Sequence, residues 1–327
     1  MRSYLISRLL GMIPTLTVIS VIIFVVIQLP PGDIVTSMLD RLQAQGVDTT
    51  EEYVQNLRAQ YNLDKPLVLQ YFYWAGNLLT GDMGYSHLYS RPVNDLLWER
   101  LGYTLSITVS ALLFMWIVAL PIGIYSAIRQ YSVGDYIMTS IALVGVATPP
   151  FMVALIFMHI GFEWFGVSTG GLFSPEYEDA PWSWGRVVDL LSHIWIPMII
   201  VGLGSAAFTM RILRANLLDE LNKPYVVTAR AKGVGPAKLI IKYPVRIAIN
   251  PFISTIGFVL PALISGEAIV SLVMGLPTIG PLLLQALLNQ DMFLAGSLLM
   301  WLAILTVVGI LLSDILLAWL DPRIRYD

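Results

Sequence analysis

Residues 9–30, LLGMIPTLTVISVIIFVVIQLP, form a continuous stretch without a charged side chain. A helix needs about 20 mostly apolar residues to cross the ~30 Å hydrocarbon core of a bilayer, and this stretch is long enough. It exceeds the ~7–15-residue apolar region of a secretory signal peptide, and no A-x-A-like cleavage site follows it. We therefore predict a retained N-terminal transmembrane helix at residues 1–30.

The rest of the chain repeats this pattern. Hydrophobic residues make up 57% of the 327 residues and charged residues only 13%, against about 25% charged residues in an average soluble domain. Further apolar runs predict spans at residues 101–128, 136–162, 190–210, 251–273 and 292–320. The predicted fold class is therefore an all-α membrane protein with six transmembrane helices.

The fifth span is placed by its glycines and prolines. Apolar sequence continues through residues 247–290, with Glu267 as the one charged residue. The second half is interrupted by Gly275, Pro277, Gly280 and Pro281. Proline removes a backbone donor that lipid cannot replace, so we predict one span followed by a short helix at residues 282–290.

Charge predicts the orientation of the spans. With six spans both termini lie on one side, and most of the 19 lysines and arginines fall on that side. The loop after the third span carries five acidic residues, with Arg186 as its single basic residue. By the positive-inside rule both termini are cytoplasmic, including a tail at residues 321–327. Residues 31–100 are then a folded external insertion. The capping-box-like start Thr49-Thr50-Glu51-Glu52 predicts a helix through Gln60, and a second helix is predicted to start after Pro66 and to stop at Gly81.

Several kinds of chemistry lack their sequence signatures. The chain has no cysteine and no G-x-x-x-x-G-K-[ST] loop for nucleotide phosphates. His87, His159 and His193 do not have the spacing of a helical metal site. An intramembrane serine hydrolase that uses His159 is one alternative class of function, and the small residues around Ser205 are better explained by close helix packing. A secondary transporter is another, and it would need inverted repeats and a coupling-ion site.

The stretch PYVVTARAKGVGPAKLIIKYPVR at residues 224–246 lies between apolar runs on the predicted cytoplasmic side. Proline suits the first turn of a helix and glycine suits its end, so the pattern predicts two short helices around a turn at Gly233. The two helices would form a basic knob that projects into the cytoplasm, or the stretch is an ordinary positively charged loop at the lipid headgroups.

Few ionisable or helix-breaking residues lie inside the apolar runs. Glu267 is either a polar contact lining a solute path or a structural contact, and Asp314 is predicted to have a structural partner. Pro149, Pro150 and Pro261 interrupt backbone pairing within predicted spans, which is tolerated where protein or a water-filled cavity surrounds the break.

Ordered motifs over nearly the whole chain resemble those of bacterial ABC importer permeases, in the form typical of the dipeptide/oligopeptide family (B-type subunit). ARAKG at residues 229–233, with Arg246 and Pro251, resembles the cytoplasmic EAA coupling loop. The stronger likenesses are SRLLGMIPTLTVISVIIFVVIQLPPGD at residues 7–33, YNLDKPLVLQYFYWAGNLLTGDMGYS at 61–86, LPTIGPLLLQALLNQDMFLAG at 276–296 and DPRIRY at 321–326. Val227 and Thr228 replace the first Glu and Ala of the general EAA pattern, and Ser271 stands where the family often has Glu.

The resemblance implies the type I ABC importer fold, with a transmembrane domain at residues 101–320 and a coupling loop at residues 215–246. It implies a multi-pass protein of the bacterial or archaeal plasma (inner) membrane, in contact with lipid and not with nucleic acid. The implied partners are a second homologous permease forming a heterodimer, two ATP-binding subunits and an external solute-binding protein. ATP and Mg²⁺ belong to the ATP-binding subunits, and no cofactor is expected on this chain.

The resemblance also assigns roles to residues. Contact with the ATPases is expected at Tyr225, Ala229, Arg230, Lys232, Gly233 and Arg246. Small residues at 229 and 233 would allow close docking, and the two cations between them would pair with acids of the ATPase. The solute path is expected to include Glu267, Ser271 and Pro149. Di- or oligopeptides are the solutes implied by the commonest members, with oligosaccharides or another small solute as the alternative.

Overall fold

A computed structural model describes residues 2–29, 32, 34–44, 46–47, 50–60, 63–166 and 169–320. The elements are, in chain order, α1 (Arg2–Gln28), α2 (Ile34–Ala44), α3 (Glu51–Gln60), α4 (Leu67–Thr80), β1 (Tyr85–Ser86), β2 (Arg91–Pro92), α5 (Val93–Ile128), α6 (Val133–Ala147), α7 (Pro150–Phe165), α8 (Trp184–Leu221), α9 (Pro224–Ala231), α10 (Pro236–Lys242), α11 (Pro244–Ser254), α12 (Ile256–Met274), α13 (Ile279–Leu288) and α14 (Met292–Leu320). The two strands form an antiparallel pair with Tyr85 opposite Pro92. The predicted tail at residues 321–327, with its DPRIRY motif, lies outside the described residues.

Length and composition give the number of spans. Helices α1, α5, α8 and α14 are each long and apolar enough to cross a bilayer. Two bent helix pairs are each apolar enough for one further span if the pair is counted as one: α6 with α7, bent by 104°, and α10–α11 with α12, bent by 55°. The described part of the chain thus offers up to six spans, in agreement with the six that were predicted.

The third predicted span is sharply bent. Helix α6 ends at Ala147, and α7 begins at Pro150 after the extended residues Thr148 and Pro149. Proline has no N–H to donate and disfavours helical geometry in the residue before it, so two successive prolines end α6 and start α7. The sequence indicated where the backbone breaks, and the structure adds the angle.

The segment predicted to be external contains the two expected helices. Helix α3 starts after Thr50, whose Oγ1 accepts a hydrogen bond from the Tyr53 amide at 3.4 Å. Helix α4 ends at Gly81, which caps it with a left-handed φ of 83°. Helix α2 and the β1–β2 pair were not predicted. The predicted short helix after Gly275 is confirmed as α13.

The chain forms two compact units. One contains Tyr103–Pro277 with the first turns of α1 and the last turns of α14, and the other contains Leu9–Gly102 and Thr278–Val307. In the first unit α5 and α8 approach closely through glycine. A Cβ on Gly202 would lie 3.0 Å from the carbonyl oxygen of Ala111, and a Cβ on Gly123 would lie 3.1 Å from that of Met210.

In the second unit a buried carboxylate joins the strand pair to the start of α14. Asp291 accepts hydrogen bonds from Ser86 Oγ at 2.7 Å and from the Leu88 amide at 3.2 Å. Burial lowers the pKa of the neighbouring His87, while the negative charge of Asp291 opposes this shift. His87 is therefore preferentially neutral in the folded protein.

Candidate coupling site

The basic stretch folds as a helix, a turn and a second helix. Pro224 opens α9 and Pro236 opens α10, each in the first turn, where a missing N–H costs nothing. Between them Gly233 has a φ of +77°, a conformation that favours glycine. The Val234 amide closes the turn on the carbonyl of Ala229 at 3.3 Å. The helix–glycine–helix prediction is confirmed.

The loop has a small core of its own. Val226, Ala229 and Leu239 are buried together, with Tyr225, Val234 and Tyr243 packed around them. The methyl group of Ala229 therefore lies inside the loop and does not face outward. Its small size lets α9 and α10 pack closely, which gives the loop a fixed shape.

A tyrosine ties this folded loop to α8. The Tyr225 hydroxyl donates a hydrogen bond to the carboxylate of Glu220, in the last turn of α8. Burial, and then the hydrogen bond and charge of Glu220, raise the pKa of the Tyr225 phenol above its usual value. The phenol thus stays protonated and remains a donor at neutral pH. Movement of the loop is in this way linked to the end of a long helix.

The outer surface of the loop combines positive charge with apolar groups. Arg230, Lys232, Gly233 and Arg246 are exposed. Within the described residues, no salt bridge involves Arg230 or Lys232, so both cations can meet acids on a partner. The exposed face of the loop is therefore positively charged and available to an acidic partner surface.

Two exposed apolar residues of the loop were missed by the sequence reasoning. Val227 on α9 is 55% exposed, and Ile241 on α10 is 68% exposed. Both lie in short helices that the charge rule had placed outside the membrane. An apolar residue in such a helix is the sequence signal that could have identified them. Two exposed apolar side chains on one short loop are available for contact with a partner protein.

The residues predicted for the solute path are only partly brought together. Glu267 and Ser271 are both buried, one turn apart on α12, and Ser271 Oγ donates to Glu267 Oε1 at 2.5 Å. Pro149 is exposed at the bend between α6 and α7. A role for these three residues in the solute path stays a prediction, as does contact with ATPases at the six loop residues.

Other sequence candidates have local partners. Asp314 Oδ2 lies 3.3 Å from Arg8 Nε, which is the kind of structural contact expected for this acid. His193 Nδ1 lies 2.8 Å from the carbonyl oxygen of Asp189. Among the described residues, no group of three or more histidine, aspartate or glutamate side chains could hold a metal ion.

The sequence is similar to known membrane transport proteins over nearly its whole length. Residues 119–326 match the family described as "Binding-protein-dependent transport system inner membrane component". Residues 1–108 match its N-terminal counterpart. The oligopeptide transport system permease protein AppB of Bacillus subtilis is 32% identical, with 100% of both chains covered. A putative peptide permease of Brucella ovis is 32% identical over 99% of both chains. The glutathione transport system permease protein GsiC of Escherichia coli is 30% identical, again with 100% of both covered.

Proposed function

Because the chain belongs to the family of inner membrane components of binding-protein-dependent transport systems, we propose that it forms one half of the path by which an ABC importer takes up di- or oligopeptides. It is a transporter subunit and not an enzyme. The other half of the path is a second, homologous permease, and the two form a heterodimer. An external solute-binding protein delivers the solute.

The observation that carries this proposal is the folded loop at the end of α8. A loop that only balanced lipid headgroup charge would need no core, whereas this one buries Val226, Ala229 and Leu239. It also exposes Val227 and Ile241 beside uncompensated cations. These features support contact with a protein and favour an ATPase-binding element over a headgroup-facing loop.

Each loop residue then has a role that follows from its position. Arg230, Lys232 and Arg246 face acids of the ATPase, and Gly233 allows its surface to approach the turn. Ala229 and Tyr225 support the loop from its inner side. Ala229 packs in the loop core, and Tyr225 holds the loop against α8 by its hydrogen bond to Glu220. Closure of the ATPases would thus move α8 and alternate the access of a central cavity.

ATP and Mg²⁺ are bound by the two ATPase subunits in this proposal. The chain carries no G-x-x-x-x-G-K-[ST] loop to hold phosphates itself. The coupling loop and both termini face the cytoplasm, and residues 31–100 form the external insertion. The excess of lysine and arginine on the loop side supports this orientation.

Peptides are the solute class best supported by the relatives. AppB is named for oligopeptides and GsiC for glutathione, which is itself a tripeptide. Glu267 and Ser271 would contribute to the path only after the permease halves rearrange, because both are buried in this conformation. Oligosaccharides remain the alternative solute class.

The test is ligand identification on the cognate binding protein, followed by uptake. The binding protein is screened by thermal shift against a library of di- to pentapeptides and, in parallel, against oligosaccharides. The complete importer in proteoliposomes is then given the best ligand with ATP. Peptide-specific stabilisation with ATP-dependent uptake is the expected result. Stabilisation by oligosaccharides alone would overturn the peptide assignment, and uptake without ATP would overturn the ABC mechanism.

A further inference from the structure

An ion pair joins α6 to α8 within the first unit. Arg214 donates two hydrogen bonds to Asp135, from Nε to Oδ1 at 3.0 Å and from Nη2 to Oδ2 at 2.8 Å. The aspartate side chain is 3% exposed and the arginine side chain 24%. Two parallel bonds fix the mutual orientation of the groups, which a lysine ammonium cannot do.

The carboxylate is also held by the start of its own helix. Asp135 Oδ2 accepts from the Tyr131 amide at 3.0 Å, and Oδ1 accepts from Thr139 Oγ1 at 3.3 Å. Ser132 caps α6 by accepting from the Asp135 amide at 3.2 Å. Taking a charged pair out of water is costly, so such a pair is weak evidence for stability. Its geometric effect, a fixed position of α8 against α6, is the better-supported role.

The pair lies at a junction between the coupling loop and the bent span. Arg214 lies about two turns before the end of α8 at Leu221. Beyond that end, the bond between Tyr225 and Glu220 attaches α9. On the other side, Asp135 lies in the first turn of α6, and the far end of α6 is the bend at Thr148.

Nearer the bend, α6 and α8 meet through small and apolar groups. A Cβ on Gly145 would lie 3.3 Å from Leu203 Cγ and 3.7 Å from Ala207 Cβ. Apolar contacts of this kind are non-directional and permit sliding or rotation. The two parallel hydrogen bonds of the Asp135–Arg214 pair, here called the fork, are directional and oppose both sliding and rotation.

We propose that Asp135 and Arg214 are positioning residues that transmit movement of the coupling loop into α6 and on to the bend before α7. The proposal rests on the proposed coupling function, because it needs a loop that is driven from the cytoplasm. The pair would make the base of α8 and the start of α6 move as one body.

The chain has no cysteine, so two introduced cysteines are its only sites for spin labels. Asn222→Cys at the end of α8 and Tyr136→Cys on α6 place both labels at exposed positions. The distance between them is measured in the complete importer, with its ATPase subunits, without nucleotide and after trapping with ATP and vanadate. Uptake of labelled trialanine per ATP hydrolysed is measured in the same preparations.

With the native pair, a single narrow distance distribution is expected in both states. Arg214→Lys keeps the charge but loses the fork, and Asp135→Asn keeps the shape but loses the charge. Both should broaden the distribution after trapping and lower uptake per ATP about tenfold, within the usual range of coupling between sites. The matched control is Arg8→Lys in the more exposed Arg8–Asp314 pair, which should change neither quantity.

Two results overturn the inference. In the first, Arg214→Lys and Asp135→Asn keep the narrow distribution and the native uptake per ATP. In the second, the rates of ATP hydrolysis and of uptake fall by the same factor in these variants, and their melting temperature falls as well. The pair would then only stabilise the fold. The distance measurement does not depend on the solute. An unsubstituted complex that neither hydrolyses ATP nor traps vanadate would overturn the proposed function and the inference together.

Discussion

Replacement of Gly233 by arginine tests the docking surface of the coupling loop without preventing the loop from folding. Gly233 has a φ of +77°, and a Cβ there would meet no atom within 4 Å. A side chain in this conformation costs about 1–2 kcal/mol, which is small against the ~5–15 kcal/mol that stabilises a folded protein. Gly233→Arg should therefore reach the membrane in normal amounts.

The contact with the ATPase should fail in that variant. A bulky cation at the centre of an interface disturbs it by about 2 kcal/mol or more, the scale of a hot-spot residue, which corresponds to binding weakened about 30-fold. Uptake should be abolished and stimulation of ATP hydrolysis uncoupled from solute. The assays are an immunoblot of membranes, co-purification of the ATPase and uptake in proteoliposomes.

The matched control is Gly233→Ala, which has the same backbone strain without the bulk. We expect it to retain most of the uptake. If Gly233→Arg transports as well as the unsubstituted protein, the reasoning about the docking surface is refuted. If alanine abolishes uptake as fully as arginine does, backbone strain and not bulk is responsible.

Three further predictions concern stability and topology. Phe252→Ala removes one of the largest fully buried side chains and should cost about 3–5 kcal/mol, seen as a lower melting temperature in detergent. His87 has a lowered pKa, so the unfolded state takes up the proton first as pH falls through 6.5. Stability should then decrease between pH 7.5 and 5.5, and His87→Gln should show a shallower decrease; an equal slope in both would contradict this. A reporter fused after Asp327 should be cytoplasmic, and an external signal would mean an odd number of spans.

Local signals in the sequence were sufficient for many helix ends. Helices α3 and α4 begin and end where Thr50, Pro66 and Gly81 predicted, because a cap or a proline acts on its immediate neighbours. The bend of 104° was beyond this kind of reasoning. Prolines indicate where hydrogen bonds are lost, but the angle depends on what the two arms pack against.

The helix–turn–helix form of residues 224–246 was predicted, but the buried face of α9 was not. An eight-residue helix such as α9 has too few turns for its pattern to show which face is buried. Ala229 was predicted to contact the ATPases, and its side chain is buried within the loop, while Val227 received no role and is exposed. The pair Asp135–Arg214 joins residues 79 positions apart, and no local pattern in the sequence indicates such a contact. Glu267 was left with two interpretations, and its bond to Ser271 shows a structural contact in this conformation.

The glycines between α5 and α8 restrict how the first unit can move. At Gly123 and Gly202 the helix backbones are separated by little more than van der Waals distance. Rotation of either helix about its own axis would press neighbouring side chains into a carbonyl group of the other helix. Since two such contacts lie along the same helix–helix interface, α5 and α8 should tilt together as one rigid unit. Since Asp135 and Arg214 attach α6 to α8, the bend between α6 and α7 is then the place to look for differences between inward-facing and outward-facing states.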